Sequence, residues 1–321
     1  MKWALICLTL GAAVAVVAGL VASPELVGEG VISTADDETA FAITPDNRTA
    51  FFSKRSPTTA SPTVDVICVS HFRNGRWSEP EVAPFSGRYR DITPAVSPDG
   101  SKLFFASNRP ESVDSKRDFD IWYVELDGGA QIPKQVAGAV NSPSQEYGVS
   151  VAGNGTLYFA SNRPGGRGAF DIYRARLVDG VYQEPENLGP AINTEGPELT
   201  PAVSPDEKTL VFGALGRDDE ITGVHREYNK GDLYVSRFEN GAWTQSRNAG
   251  PMVNSGGAES APFFSADGKT LFFSSERGFA TARPGMRLNY KTIEKRLAGT
   301  LNGLGNIYRV DSSRLTPWQV M

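Results

Sequence analysis

Residues 93–110 read TPAVSPDGSKLFFASNRP, and this stretch decides the fold. Pro94 to Ser97 make a short apolar, alternating run that meets Pro98-Asp99-Gly100. There proline presets φ, aspartate can bond its own backbone, and glycine accepts the positive φ of a tight turn. A second apolar run, Leu103 to Ala106, returns from the turn, so the stretch predicts a β-hairpin. The same outline recurs at 42–55 (AITPDNRTAFFSKR), 148–164 (GVSVAGNGTLYFASNRP), 201–217 (PAVSPDEKTLVFGALGR) and 262–278 (PFFSADGKTLFFSSERG). With Asp46, Asp99, Asn154, Asp206 and Asp267 as phase markers, the intervals are 53, 55, 52 and 61 residues. A self-similar period of this size marks a propeller or solenoid built by stacking one supersecondary unit.

Each repeat continues in the same way past its hairpin. A third strand follows, led by an acid or amide: Asp65-Val-Ile-Cys, Asp120-Ile-Trp-Tyr, Asp171-Ile-Tyr-Arg, Asp232-Leu-Tyr-Val and Asn306-Ile-Tyr-Arg. Turns such as Asn74-Gly75, Asp179-Gly180 and Asn240-Gly241 then lead into a fourth strand, expected at 76–83, 131–138, 181–189 and 242–250. Four antiparallel strands per period make a propeller blade. The fifth repeat lacks its fourth strand, and residues 26–34, LVGEGVIST, resemble the 187–194 segment NLGPAINT that ends a blade elsewhere. The N-terminal segment is therefore expected to close the ring and remove its open edge. The fold class is all-β, a propeller of five four-stranded blades. A sixth blade would have to fit between Ser275 and Asn306, where LNYKTIEKRLAGTL reads as a short helix instead. The blade-4 turn, with Glu207 in place of glycine, is expected to differ in geometry from the others.

Composition narrows the function. A formal charge of −5 over 321 residues argues against a nucleic-acid binder. Lys2, the apolar run Trp3 to Val21 and the small residues Ala22 and Ser23 read as an export signal, with 1–22 removed and 23–321 forming one propeller domain. The rival reading is a retained membrane anchor, since the run approaches the roughly 20 residues that span a bilayer. The expected location is the periplasm or the extracellular space. The two cysteines are Cys7, inside that run, and Cys68, which reads as a core residue; a processed chain would hold no internal disulfide.

The repeats resemble the WD40-like, or PD40, repeats of the TolB-like propellers. The residues that carry the resemblance are SPDG and its variants, FASNRP, the DIY-type third strand, and WSEP or YQEPENLG, over roughly Leu26 to Asp311. The resemblance implies a propeller, exported, that binds other proteins. No stretch here resembles the N-terminal α/β domain of TolB, the hydrolase domain of propeller-gated peptidases or a peptidoglycan-binding domain, so the resemblance names no partner.

Comparing the repeats with one another exposes candidate site residues. Eight residues before each marker stands an acid: Glu38, Asp91, Glu146, Glu198 and Glu259. Nine to eleven residues after it stands an arginine: Arg55, Arg109, Arg163, Arg217 and Arg277. One reading pairs these charges across neighbouring strands to hold each blade. The other makes the acids a ring at the channel mouth that binds a cation or a basic partner, with a glycan as a further class of ligand. A second candidate is the long loop 277–305. Its first 20 residues hold six basic side chains, Arg277, Arg283, Arg287, Lys291, Lys295 and Arg296, against Glu294. A cationic loop of this length on an acidic chain suits a protein partner in the cell envelope or outside the cell.

Enzyme signals are weak. With only His71 and His225, a histidine metal site or acid–base relay is not expected, and there is no GxSxG, HExxH or paired CxxC. No cofactor or metal is expected. The alternative function is a carbohydrate-active hydrolase or lyase that uses two carboxylates at the channel mouth.

Overall fold

A computed structural model describes residues 23–56, 64–110, 118–218, 231–278 and 289–315. The strands group into five antiparallel blades, in the phase that the repeats predict. The innermost strands are Asp37–Ile43, Asp91–Val96, Glu146–Val151, Glu198–Val203 and Glu259–Phe264. Each packs against the innermost strand of the next blade, and that of blade 5 packs against that of blade 1, so the ring is closed. The second strands (Thr49–Arg55, Lys102–Ser107, Leu157–Ser161, Thr209–Ala214, Thr270–Ser275) and third strands (Asp65–Arg73, Asp120–Glu125, Asp171–Ala175, Asp232–Glu239, Asn306–Asp311) follow outward.

The outer strands are shorter than the sequence suggests. Glu81–Val82, Lys134–Gln135, Glu186–Asn187 and Arg247–Asn248 pair with the middle of their third strands, while Arg76–Trp77 and Ala242–Trp243 pair only with the far ends of theirs. In three blades the first part of the expected strand instead forms a two-residue ribbon, as at Arg76–Trp77, Val181–Tyr182 and Ala242–Trp243. Pro80, Pro133 and Pro185 stand just before three of the outer strands, where a residue without an N–H cannot extend the ladder.

The N-terminal segment closes blade 5. Glu25 and Leu26 pair antiparallel with Arg309 and Tyr308. The Val27 N–H then donates to the Ile307 carbonyl, and Ser33 Oγ accepts from the Ile307 N–H. Asn141, Asn193 and Asn254 make the equivalent side-chain bond in blades 2, 3 and 4, and Ser86 makes it in blade 1. Each blade thereby fixes the crossover that follows it.

Five apolar clusters fill the five gaps between blades. Between blades 1 and 2, for example, Phe51, Ile67 and Phe85 meet Leu103, Phe105 and Trp122. No sixth blade occurs among the described residues. The segment read as a helix contains α1 (Tyr290–Leu297), whose first turn is capped by the Asn289 side chain accepting from the Thr292 N–H.

The blade-4 turn corrects the expectation drawn from Glu207. Glu207 has φ 55°, close to Gly100 at 75° and Gly268 at 69°, so its turn has the geometry of the others. Its left-handed backbone is offset by contacts that glycine could not make: its carboxylate accepts from Asn154 Nδ2 at 2.6 Å and from the buried Tyr158 hydroxyl at 2.9 Å.

Candidate functional site

The repeated acids and arginines meet inside the blades. Arg109 binds Asp91 at 2.6 Å, Arg163 binds Glu146 at 3.1 Å, Arg217 binds Glu198 at 2.9 Å and Arg277 binds Glu259 at 3.5 Å. All five acids are fully buried. In blades 2, 3 and 5 the serine directly across the strand pair, Ser107, Ser161 or Ser275, donates to the same carboxylate and accepts from the arginine Nε. Each guanidinium also reaches a carbonyl of the crossover before its blade (Phe85, Val140, Ile192 or Val253) and lies over aromatic rings of its own blade. These clusters tie the first strand, second strand and crossover together.

A second partner of four of the five acids was missed in the sequence. Thr34, Ser142, Thr194 and Ser255 each give a backbone N–H and a hydroxyl to the glutamate four residues on. The repeated Ser/Thr-x-x-x-Glu spacing was the signal. Burial pushes the carboxyls of Glu146, Glu198 and Glu259 above their ordinary range, against the opposing pull of these hydroxyls and of the arginines.

Blade 1 breaks the pattern. There Glu38 stands opposite Lys54, and Arg55 stands opposite Asp37 on one side and Asp65 on the other. In blades 2, 3 and 5 the arginine lies two positions beyond the residue facing the acid; here it lies one beyond. Along a strand, a shift by one turns the side chain to the opposite face. Arg55 therefore binds Asp65 at 2.7 Å, and Glu38 is left with Thr34 and with Lys54 at 3.8 Å. Burial raises the Glu38 carboxyl to about 7. Asp65 is shared, because Arg90 of blade 2 also binds it at 2.7 Å. The other third-strand acids serve their own blades: Asp120 accepts from Gln135, Asp171 from Asn187 and Asp232 from Asn248.

The redirected Arg55 and its neighbour Arg90 line a cavity of about 150 Å³ in which residues of all five blades meet, at the channel mouth. Its floor is formed by β-bulges on the innermost strands, where Thr93, Thr200 and Ala261 adopt φ of 50°, 46° and 46°. Left-handed backbone at threonine and alanine is strained, and neighbouring blades hold it: the Thr93 N–H donates to Ser53 Oγ and the Ala261 N–H to Thr200 Oγ1. Below this floor the voids shrink to about 20 and 10 Å³. Phe263 of blade 5 lines both and packs against the cores of three blade interfaces, where blades 1 to 4 carry Ala42, Ala95, Ser150 and Ala202. The mouth is thus a cup over a plugged channel.

Of the cationic loop residues, Lys291, Lys295 and Arg296 lie on helix α1, none of whose residues is buried. Arg283 and Arg287 lie outside the described residues. The apolar N-terminal run also lies outside them, and no helix among the described residues is long and apolar enough to cross a membrane. No group of three or more metal-ligating side chains occurs among the described residues. Cys68 is buried, and that burial raises its thiol.

Neither a family model nor a curated protein matches the sequence. Solved propeller structures are similar in outline. TolB from Acinetobacter baumannii is 15% identical with a TM-score of 0.45, over 86% of this chain and 55% of that one, so the present chain spans about half its length. A puromycin-hydrolyzing peptidase of Mycobacterium tuberculosis is 14% identical with a TM-score of 0.44, over 84% of this chain and 41% of that one. The calcium-binding protein regucalcin from Agrobacterium tumefaciens is 14% identical with a TM-score of 0.42, over 90% and 93%. The assignment of this chain as a five-bladed propeller rests on its own strand pairing.

Proposed function

We propose that this chain is an exported propeller that works by binding, with a protein of the cell envelope or the extracellular space held across the face that carries the long loop 277–305. The observation that carries the reading is the sequestration of the repeat carboxylates. A hydrolase at the mouth needs two carboxyl groups facing a substrate about 5 to 10 Å apart. Here Asp91, Glu146, Glu198 and Glu259 are buried and matched with Arg109, Arg163, Arg217 and Arg277, which makes them structural members of the blades. The same face offers Lys291, Lys295 and Arg296 on a helix with no buried residue. Residues 1–22 act as the export signal and 23–321 form the working domain in this reading.

The test reverses charge at Arg283, Arg287, Lys291 and Lys295 together. Folding should be nearly unchanged, since surface substitutions stay within roughly 0.5 kcal/mol each. Capture of envelope proteins should fall relative to wild type. Wild-type capture should also weaken as salt shortens the screening length to about 10 Å and below. Equal capture by the quadruple variant at low salt would remove the loop from the binding face.

A further inference from the structure

The cup at the channel mouth has a charge layout that the repeats do not impose. In blades 2 to 5 the repeat arginine is occupied by its buried acid, whereas Arg55 is turned by one position into the mouth. Arg55 reaches Asp65 through Nε, and Arg90 does so through Nε and Nη2. Two guanidinium groups thus share one carboxylate. Among the described residues, the two terminal nitrogens of Arg55 and Nη1 of Arg90 have no protein partner, which leaves donors for a further anion.

Opposite charges on directly paired strand positions ordinarily bind each other. Asp37 faces Arg55 in the strand pair, yet no ion pair joins them, because the guanidinium is engaged by Asp65. Asp37 accepts the Gly305 N–H with Oδ1 and lines the cup. The cup therefore presents a cationic sector from blades 1 and 2 beside anionic residues, Asp37 of blade 1 and Glu276 of blade 5. The far wall, from blades 3 and 4, is Tyr147, Leu199 and Leu215. On the floor, the buried Thr93 hydroxyl has no hydrogen-bond partner among the described residues.

From this arrangement we infer that the mouth cavity binds an α-amino acid with an apolar side chain. The carboxylate lies against Arg55 and Arg90, the ammonium against Asp37, and the side chain against the Tyr147–Leu199–Leu215 wall. A cavity near 150 Å³ holds a group about the size of benzene, which matches the side chain of phenylalanine or leucine, while the polar end remains at the opening. This inference is separate from the protein-partner reading and concerns different residues.

The experiment is calorimetric titration of the purified full chain with three probes that share one ring: phenylalanine, phenylacetate and phenethylamine. Phenylalanine should bind roughly tenfold or more tightly than either single-charge analogue, since each loses one charge-assisted contact. Arg90→Gln should remove the advantage over phenethylamine, and Asp37→Asn the advantage over phenylacetate, each with an unchanged melting temperature. If a variant does not fold, the wild-type comparison of the three probes still decides. The inference is overturned if no probe binds at millimolar concentration, if phenethylamine or phenylacetate equals phenylalanine, or if folded variants bind as wild type does. Partner capture by the loop 277–305 is measured separately, so either result can fail alone.

Discussion

Replacing Glu38 with glutamine isolates the one repeat acid that lacks an arginine. Its carboxyl is fully buried, accepts the Thr34 N–H at 2.9 Å and the Thr34 hydroxyl at 2.6 Å, and has Lys54 no closer than 3.8 Å. Burial lifts it from an ordinary 4.5 to about 7, so ionising it in the folded chain costs about 3 kcal/mol more than in the unfolded chain. Between those two values the folded chain keeps the proton that the unfolded chain releases, and stability falls as pH rises. The loss is complete above pH 7 and absent below pH 4.5. A glutamine amide resembles the protonated acid, with one acceptor and a donor group for Thr34, so Glu38→Gln should lie within about 1 kcal/mol of wild type near pH 5. At pH 8 it should be the more stable protein by about 3 kcal/mol, or roughly 5 °C in melting temperature for a chain of this size. Melting curves of both proteins at the two pH values suffice, because every other titrating group is common to the pair. A difference between variant and wild type that is the same at pH 5 and pH 8 would refute the argument that Glu38 is buried without adequate charge compensation.

Two further outcomes follow from the architecture. A chain beginning at Asp36 loses the Glu25–Leu26 strand and the buried Val27 and Ile32, and should be destabilised by at least about 3 kcal/mol, read as a drop in melting temperature; an unchanged value would mean that blade 5 does not depend on this strand. Arg109→Met strands the buried Asp91 carboxylate and should cost about 3 to 5 kcal/mol in chemical denaturation, whereas Arg55→Met leaves Asp65 still bound by Arg90 and should cost at most about 1 kcal/mol; equal costs would contradict the division between structural and mouth-facing arginines.

The blade count, the hairpins and the closing N-terminal strand were legible because each is written in local chemistry that repeats. Pro98-Asp99-Gly100 and its four variants, centred on Asp46, Asn154, Asp206 and Asp267, mark a tight turn each time, and their fivefold recurrence gives the phase. The outer strands were overextended because their length is set by proline and by the ribbon that peels away, neither of which alters the apolar pattern. The Glu207 turn was misjudged because its left-handed backbone is compensated from the neighbouring blade, by Asn154 and Tyr158 some 50 residues earlier. The sharing of Asp65 by Arg55 and Arg90 is likewise a contact between blades, invisible to any comparison made within one repeat.

That last point bears on where function resides. A feature present in every blade, such as the acid with a Ser or Thr four or five residues before it, meets the same need five times over and belongs to the scaffold. Function has to be sought where one blade departs. Blade 5 departs with Phe263, which closes the channel beneath the mouth, and with the insertion that carries α1. Blade 1 departs by a single strand position, which costs Glu38 its arginine and places Arg55 in the cup. A buried carboxyl at about 7 is a standing penalty at neutral pH, and a chain selected for stability alone would have kept the register of the other blades. The register slip leaves a guanidinium in the roomiest of the voids that all five blades line among the described residues, which is the place on this propeller where one ligand can touch every blade.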